Sequence, residues 1–435
     1  MLILCWLVPF ICQAQEVYDL RQVIETGLEY NYDIRIIRNQ QAITDNNTTL
    51  GNAGILPSLD ISAGYSGSLM DREQKLADGT SNNHSSIFNQ GANVGLNLNW
   101  TVFDGFRMQT EYKRLKEFQQ MGEITTTLMI ENLIANLTAE YYNFVRQNIR
   151  LKNLRSAVAL SKERLRIVEA RYLIGSMSRL DLQQARVDFN ADSSSLIKQH
   201  EIVNTSAIIL NQLMAVEDVA RQLQVNDSVI IPDKLLTEEL LWEKTLDANS
   251  GLLLSHKNKT LSELDLKTFQ SRNFPYLRLN AGYGYTLSLN DISVSNIKRQ
   301  NNLGFNYGFT VGYTLFDGMN RRREQRNARM IIQNRSLEHD RLELSLKADL
   351  ANMWMAYQNN MNLTNLEQEN LEVARENYEI AMERYRLGDL SGIELREAQN
   401  SLLGAEERLL QAQYDTKLCE ISLLQISGQI TFYLE

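Results

Sequence analysis

VGLNLNWTVFDG, Val94 to Gly105, and YGFTVGYTLFDG, Tyr307 to Gly318, carry the same alternation into the same last three residues. In the first, Val94, Leu96, Leu98, Trp100 and Val102 alternate with Gly95, Asn97, Asn99 and Thr101. In the second, Leu303, Phe305, Tyr307, Phe309, Val311, Tyr313 and Leu315 alternate with Gly304, Asn306, Gly308, Thr310, Gly312 and Thr314. Successive side chains of a pleated strand point to opposite sides, so period two with one apolar and one polar face describes a strand between two unlike environments. A half-buried soluble strand and a strand between lipid and a wet lumen share that pattern, and length separates them. These runs reach the roughly 9–11 residues a tilted strand needs to cross a bilayer, whereas soluble strands centre on about 5–6.

Each run has an alternating partner upstream. Leu59, Ile61, Ala63 and Tyr65 oppose Asp60, Ser62, Gly64 and Ser66, and Leu277, Leu279, Ala281, Tyr283 and Tyr285 oppose Arg278, Asn280, Gly282, Gly284 and Thr286. The polar stretches between partners, Asp71 to Ser86 and Asn290 to Asn302, are too long for tight turns and suit solvated outer loops. Two hairpins, about 58–103 and about 276–316, supply four strands. Closed membrane barrels begin at about eight strands, and an open edge in lipid leaves unpaired backbone groups at several kcal/mol each. The barrel is therefore expected to be shared between chains.

Outside the hairpins the chain reads as long helices. Pro9, Pro57, Pro232 and Pro275 are the 4 prolines in 435 residues, and the stretches between are rich in Leu, Glu, Gln, Arg, Ala and Asn, mostly good helix formers. No apolar run of about 18 residues follows the N-terminus, which argues against a helical membrane span. Residues 1–14, MLILCWLVPFICQA, resemble a secretory signal cut before Gln15, without the usual basic start. Ile11 stands where an acylated-cysteine motif wants a small residue, so lipidation at Cys12 is not expected. With Cys5 and Cys12 removed, Cys419 is a single thiol, read as helix packing. A net charge of −9 with dispersed basic residues leaves no nucleic-acid footprint. His84, His200, His256 and His339 lack metal-ligand spacing, and no nucleophile elbow, phosphate loop or dinucleotide fingerprint occurs. Neither a metal, a cofactor nor a catalytic centre is expected.

The chain is duplicated. Phe103 falls on Phe316 at an offset of 213, which also carries Arg171 and Tyr172 to Arg384 and Tyr385, Gly175 to Gly388, Asp181 to Glu394 and Ala185 to Ala398. Upstream the offset is 218, with Asn31 on Asn249 and Pro57 on Pro275; the difference falls in the hairpins, where outer loops tolerate insertion. The expected organisation is a first repeat at 15–216, a linker of small elements at 217–240, and a second repeat at 241–435.

In the first copy the helical stretch from Thr110 to Tyr172 would reach roughly 95 Å. Leu151, Leu154, Val158, Leu165, Val168 and Tyr172 fit a coiled-coil seam, with Ser161 in the skipped position. The seam breaks at RYLIGSMSRLDL, 171–182, and in the second copy at RYRLGDLSGIEL, 384–395. Gly175 and Gly388 suit the left-handed residue that ends a helix, and Ser178 and Ser391 stand where they can cap the next one. A plain helix-turn-helix explains either tip alone; recurrence of Arg, Tyr, Gly and an acid favours a shared docking role. Pro57 and Pro275 mark the change from helix to strand. At the reverse change Asp104 and Asp317 are expected to cap helices, with Gly105 and Gly318 allowing the bend. Arg107 and Arg321 to Arg323 follow directly and either reach lipid headgroups or sit solvated where strand gives way to helix.

Proline, strand hairpin, FDG, long helix, R-Y-x-x-G tip with a downstream acid, and returning helix, twice over, resemble the TolC family of outer-membrane efflux and secretion channels. The resemblance covers nearly the whole mature chain. It implies a mainly α fold with β, in which a homotrimer closes a twelve-stranded barrel in the outer membrane of a Gram-negative bacterium, continuous with an α-helical periplasmic tunnel. It implies a passive export duct and not an enzyme, whose tips (Arg171, Tyr172, Gly175, Arg384, Tyr385 and Gly388) meet a periplasmic adaptor bound to an inner-membrane pump. The family's acidic gate falls by position on Glu394 and Glu397, with Asp181 matching in the first copy and Gln184 replacing the second acid. Like charges near a three-fold axis are expected to raise pKa values and to hold a cation. Two solvated helix positions are the alternative for these glutamates, with Glu406 and Glu407 as a comparison pair on the outer helix face. The competing class is a structural or adhesive surface protein with a barrel anchor and a coiled-coil stalk. Strands and helices that interleave twice favour the duct, and an outer-membrane enzyme lacks a nucleophile and base.

Overall fold

A computed structural model describes residues 17–227, 229–232, 236–291 and 297–434. The signal-like residues 1–14 with Cys5 and Cys12, and parts of the linker and second outer loop, lie outside the described residues. In chain order the elements are β1 (Val17–Tyr18), α1 (Leu20–Tyr30), α2 (Tyr32–Asn47), β2 (Ser58–Lys75), β3 (Ser81–Phe103), α3 (Arg107–Leu173) and α4 (Arg179–Leu213). There follow β4 (Gln224–Val225), α5 (Glu238–Ala248), α6 (Ser250–Ser271), β5 (Tyr276–Leu289), β6 (Arg299–Gly312), α7 (Asn320–Leu387) and α8 (Gly392–Ile426), with a 3-10 turn at Ile430–Leu434. The chain divides into two compact units, one built from the segments up to Gln40, Ile124–Leu254 and from His339 on, the other from Gln41–Glu123 and Ser255–Glu338.

In the second unit four antiparallel strands form one sheet in the order β2-β3-β5-β6. Register decides its character. Leu59 lies beside Leu98, Leu98 beside Ala281 and Ala281 beside Tyr307; Ile61, Leu96, Tyr283 and Phe305 form the next apolar row, and Ala63, Val94, Tyr285 and Leu303 the third. The intervening rows are Asp60, Asn97, Gly282, Asn306 and Ser62, Gly95, Gly284, Gly304. A slip of one residue between any pair would put every apolar side chain of that strand on the wrong face. On the polar face Asn97 donates to Ser62 Oγ at 3.0 Å and Asn280 to Asn99 Oδ1 at 2.8 Å. Gly282 makes room for the amides of Asn306 and Asn97 on either side, since a Cβ there would stand 2.5 and 3.3 Å from their Oδ1 atoms.

The strands differ from expectation at their ends. β2 and β3 run through most of the stretch expected as an outer loop, pairing Lys75 with Ser81. Both faces there are polar, so alternation carries no signal, while the ladder continues. The second hairpin stops short of Phe316: β6 ends at Gly312, opposite Tyr276, because β5 begins after Pro275, which has no N–H to offer a ladder.

The first unit is helical around three apolar clusters. One gathers Val23 and Ile24 of α1, Leu137, Tyr141 and Phe144 of α3, Leu210 of α4 and Leu424 of α8. Gly27 admits Leu137, whose Cδ1 would lie 2.5 Å from a Cβ at that position. A second packs Val168, Leu182, Leu371, Tyr378, Tyr385 and Leu395 toward the tips, and a third holds Leu241, Leu350, Tyr357, Leu423 and the free, buried Cys419. Linker residues are tied to this core: β4 pairs in parallel with β1, Tyr141 donates to Asp227 at 2.9 Å, and the buried Lys417 bonds both Glu420, at 2.7 Å, and the Ile231 carbonyl, at 3.3 Å.

The expected seam on α3 holds in Leu151, Ser161 and Val168, which are buried, and is joined by Ala157 and Arg164, while Leu154, Val158 and Leu165 are half-buried. Tyr172 is 39% exposed. Ser161 and Arg164 occupy core positions because each is bonded to an aspartate of α4, Asp192 and Asp188 respectively. α7 carries two apolar lines. Leu371, Tyr378 and Tyr385 recur every seven residues and are buried, while Leu366, Val373, Ile380 and Leu387 recur every seven and are 52–84% exposed. Residues two apart on a helix point about 200° apart, so the lines lie on opposite faces.

Candidate channel wall and helical tips

The polar face of the sheet is a smooth, nearly uncharged wall. From Ser58 to Gly67, Gly91 to Thr101, Tyr276 to Ser288 and Gln300 to Gly312, Asp60 and Arg278 are the charged residues; Gly, Asn, Ser and Thr make most of the rest of that face. The opposite face exposes Ile61, Tyr65, Leu303, Tyr307 and Phe309 at 66–80%. Water on one side and hydrocarbon on the other is the setting in which both faces are satisfied. Among the described residues no helix is long and apolar enough to cross a membrane.

The strand-to-helix change uses two left-handed residues in succession: Gly105 (φ 73°) with Phe106 (69°), and Gly318 (69°) with Met319 (66°). Asp104 accepts from the Met108 N–H at 3.1 Å and Asp317 from the Arg321 N–H at 3.0 Å, so each carboxylate caps the helix that follows. Arg107 and Arg321 return to these same carboxylates at 3.0 and 3.2 Å. Arg321 also donates to the carbonyls of Arg272, Thr314 and Leu315, so it neither reaches for headgroups nor sits solvated, the two roles expected of it. Arg322 and Arg323 remain exposed.

Both tips close with the same hydrogen bonds. Gly175 (φ 80°) donates to Tyr172 O and Ser176 to Arg171 O; Gly388 (φ 91°) donates to Tyr385 O and Asp389 to Arg384 O. That is a Schellman motif, which satisfies the last carbonyls of α3 and α7. Ser178 and Ser391 then start the return helices as capping boxes, taking the N–H of Asp181 and Glu394 and receiving each acid's carboxylate in exchange. The Ser391 hydroxyl, and then its N–H, hold the Glu394 carboxyl below its ordinary range. Within one chain this runs opposite to the rise expected of a gate, and capping accounts for the acid at both matched positions. Glu397 is exposed.

The remaining tip residues part company. Arg171 donates to the carbonyls of Tyr385 and Arg386, each at 3.0 Å, with its guanidinium 5.2 Å from the centre of the Tyr385 ring. It clamps the end of α7. Arg384 instead bonds Asp389 in its own turn, at 3.0 Å. Tyr385 is fully buried, so in this arrangement it supports the tip from inside and presents no docking surface; Tyr172 is the exposed member of the pair. Glu406 and Glu407 are not simple surface residues either, since burial pushes the Glu406 carboxyl up and Glu407 pairs with Arg150 at 3.2 Å.

Above the tips lies a buried polar cluster without any sequence signal. Arg396 of α8 forks onto Asp192 of α4, at 2.7 and 2.8 Å, and Gln399 donates to Ser161 Oγ at 3.0 Å and Ala157 O at 3.3 Å on α3. Burial alone would raise the Asp192 carboxyl, but hydrogen bonds from Arg396 and Ser161 outweigh it and hold the group low. Among the described residues no group of three His, Cys, Asp or Glu could hold a metal ion.

The chain has relatives of known type. The family described as outer membrane efflux protein matches residues 23–216 and 262–429. Outer membrane protein TolC of Vibrio cholerae is 21% identical over 424 residues, covering 95% of this chain and 91% of that protein. Outer membrane efflux protein BepC of Brucella suis is 20% identical over 355 residues, with 78% and 72% covered. The CmeC outer membrane channel of Campylobacter jejuni superposes with a TM-score of 0.79 at 16% identity, covering 96% of this chain and 90% of that one. With the family match running from α1 to the end of α8, the chain belongs to the outer membrane efflux protein family, and its place is an efflux channel of the outer membrane.

Proposed function

We propose that three copies of the chain close a twelve-stranded barrel, each lending four strands, and that their helices form a periplasmic tunnel. The carrying observation is the sheet: one face apolar, one polar, and two outer strands, β2 and β6, whose outer edges have no partner among the described residues. Such edges in lipid must pair, and a second copy of the same sheet offers the complement. The exposed heptad line of α7, Leu366 to Leu387, supports helix packing between copies. In this reading each repeat, 15–216 and 241–435, contributes one hairpin and one tip, joined through 217–240. The duct is passive, has no catalytic role and takes its energy from an inner-membrane pump, reached through a periplasmic adaptor that meets the tips around Tyr172, Gly175, Arg384 and Gly388. Glu394, Glu397 and Asp181 would converge near the axis there as the constriction.

Planar bilayers test the duct: purified protein should insert as long-lived conducting units, and an adhesive stalk would give none. Protease added to intact cells separates the same two readings. Periplasmic helices stay protected, whereas a stalk would be cut.

A further inference from the structure

At the foot of the polar face a cavity of about 260 Å³ opens, bordered by Thr101, Tyr276 and Arg278 of the sheet and by Arg107, Arg272 and Arg321. Four guanidinium groups face two carboxylates, Asp104 and Asp317. Both carboxylates are committed, each to one arginine and one helix N–H. Arg272 is paired with Glu324, which does not border the cavity. Arg278 differs: it makes no ion pair among the described residues, and its guanidinium lies 4.8 Å from the centre of the Tyr276 ring. Tyr276 is placed in turn by Gly312, where a Cβ would come within 2.3 Å of the ring. The neighbours of Arg278 across the sheet are Thr101 and Thr310, so nothing nearby on the wall neutralises it.

We propose that this cavity binds a small polyvalent oxyanion, and that Arg278 is the residue that recognises it. The guanidinium fork matches carboxylate and phosphate oxygens in pairs. α3 and α7 both begin at the cavity with Asp104 and Asp317 capping their first turns, so the positive excess of the lining is that of its four arginines over these two carboxylates. Trp100, Leu279 and Phe309 belong to the opposite, apolar face, which puts the site on the water side of the sheet and away from lipid headgroups. The occupant is therefore a soluble anion or the anionic group of a passenger. That last step rests on the channel reading, whereas the binding site does not.

Calorimetry with inorganic pyrophosphate, on the full chain in non-ionic detergent, tests the site. Loss of one charged hydrogen-bonding partner in Arg278→Gln should weaken binding about tenfold. Arg278→Lys should restore part of it, and Arg329→Gln on exposed α7 surface should leave it unchanged. Equal affinity in wild type and Arg278→Gln, or no saturable binding, overturns the proposal. Short-chain phosphatidylglycerol that displaces pyrophosphate would hand the site to lipid and overturn the soluble-anion assignment. In bilayers, pyrophosphate should reduce wild-type conductance and spare Arg278→Gln. Conductance without such block refutes the placement on the path, and absence of any conductance refutes the channel while leaving the calorimetric result to decide the site.

Discussion

Gly105 and Gly318 occupy matched places in the two FDG motifs and have nearly the same backbone, φ 73° and 69°, yet alanine should be far worse at the first. The left-handed conformation costs an L-residue about 1–2 kcal/mol at either site, part of which is offset because glycine loses more chain entropy on folding. About 1 kcal/mol should remain for Gly318→Ala, where the nearest neighbour of an added Cβ is Asn320 Nδ2 at 3.6 Å. At Gly105 the Cβ would sit 2.1 Å from Ser271 O and 2.9 Å from Phe274 Cβ. The Ser271 carbonyl cannot simply give way, since it accepts the Phe274 N–H at 3.0 Å and closes the end of α6. Forcing it aside adds an overpacking cost of about 1–3 kcal/mol, for a total of about 2–4. Denaturant unfolding of both variants in the same detergent, followed by far-ultraviolet dichroism, measures the difference. Equal costs, or the larger cost at Gly318, would refute the packing of α6 against this turn.

Ala215 holds a left-handed residue (φ 56°) in the turn after α4, where Gly428 (φ 69°) ends α8, so Ala215→Gly should stabilise the protein by about 0.5–1 kcal/mol in the same unfolding assay. Asp192 has its carboxyl pKa lowered in the fold from an ordinary 3.8, so its contribution is complete at neutral pH and is lost as pH falls through the lowered value. Asp192→Asn, which leaves Arg396 partly buried without its counter-charge, should cost about 3–5 kcal/mol at pH 7 and flatten the acid limb of the stability profile. Glu394→Gln with Glu397→Gln preserves the capping box, since Gln also serves at that position, and should lower cation selectivity in single-channel recordings. The exposed pair Glu238 and Glu239, changed the same way, should not; like behaviour of the two double variants would place the constriction elsewhere.

The faces of the sheet were legible from alternation alone, because the pleat fixes a period of two and each apolar row, such as Ile61, Leu96, Tyr283 and Phe305, is matched strand by strand. Strand ends were not. Above the apolar band, residues such as Glu73, Lys75 and Asn83 are polar on both faces, and below it the loss of pairing is set by Pro275 on the neighbouring strand. The tips were legible as turns from glycine and serine. The capping boxes were not read there, although the S-x-x-acid spacing of Ser178 with Asp181 and Ser391 with Glu394 is their signature and explains the acids without invoking a gate. On the α3 seam Ser161 was legible by its spacing, whereas Arg164 looks like a surface residue and its partner Asp188 lies on the return helix. Arg396 is further still from Asp192 in sequence, and no periodicity reports a pair separated by 204 residues.

The shared barrel is tested most directly by joining the two outer edges. Cysteine pairs, one on β2 and one on β6, scanned along both strands in a Cys419→Ser background because the shear of a closed barrel sets the register between copies, should at the matching position give disulfide-linked dimers and trimers when the protein is oxidised in outer-membrane fractions, with native mass at about three times that of one chain. Cross-linking confined to single chains, with a native mass of one chain and the β-structure retained in lipid, would contradict it.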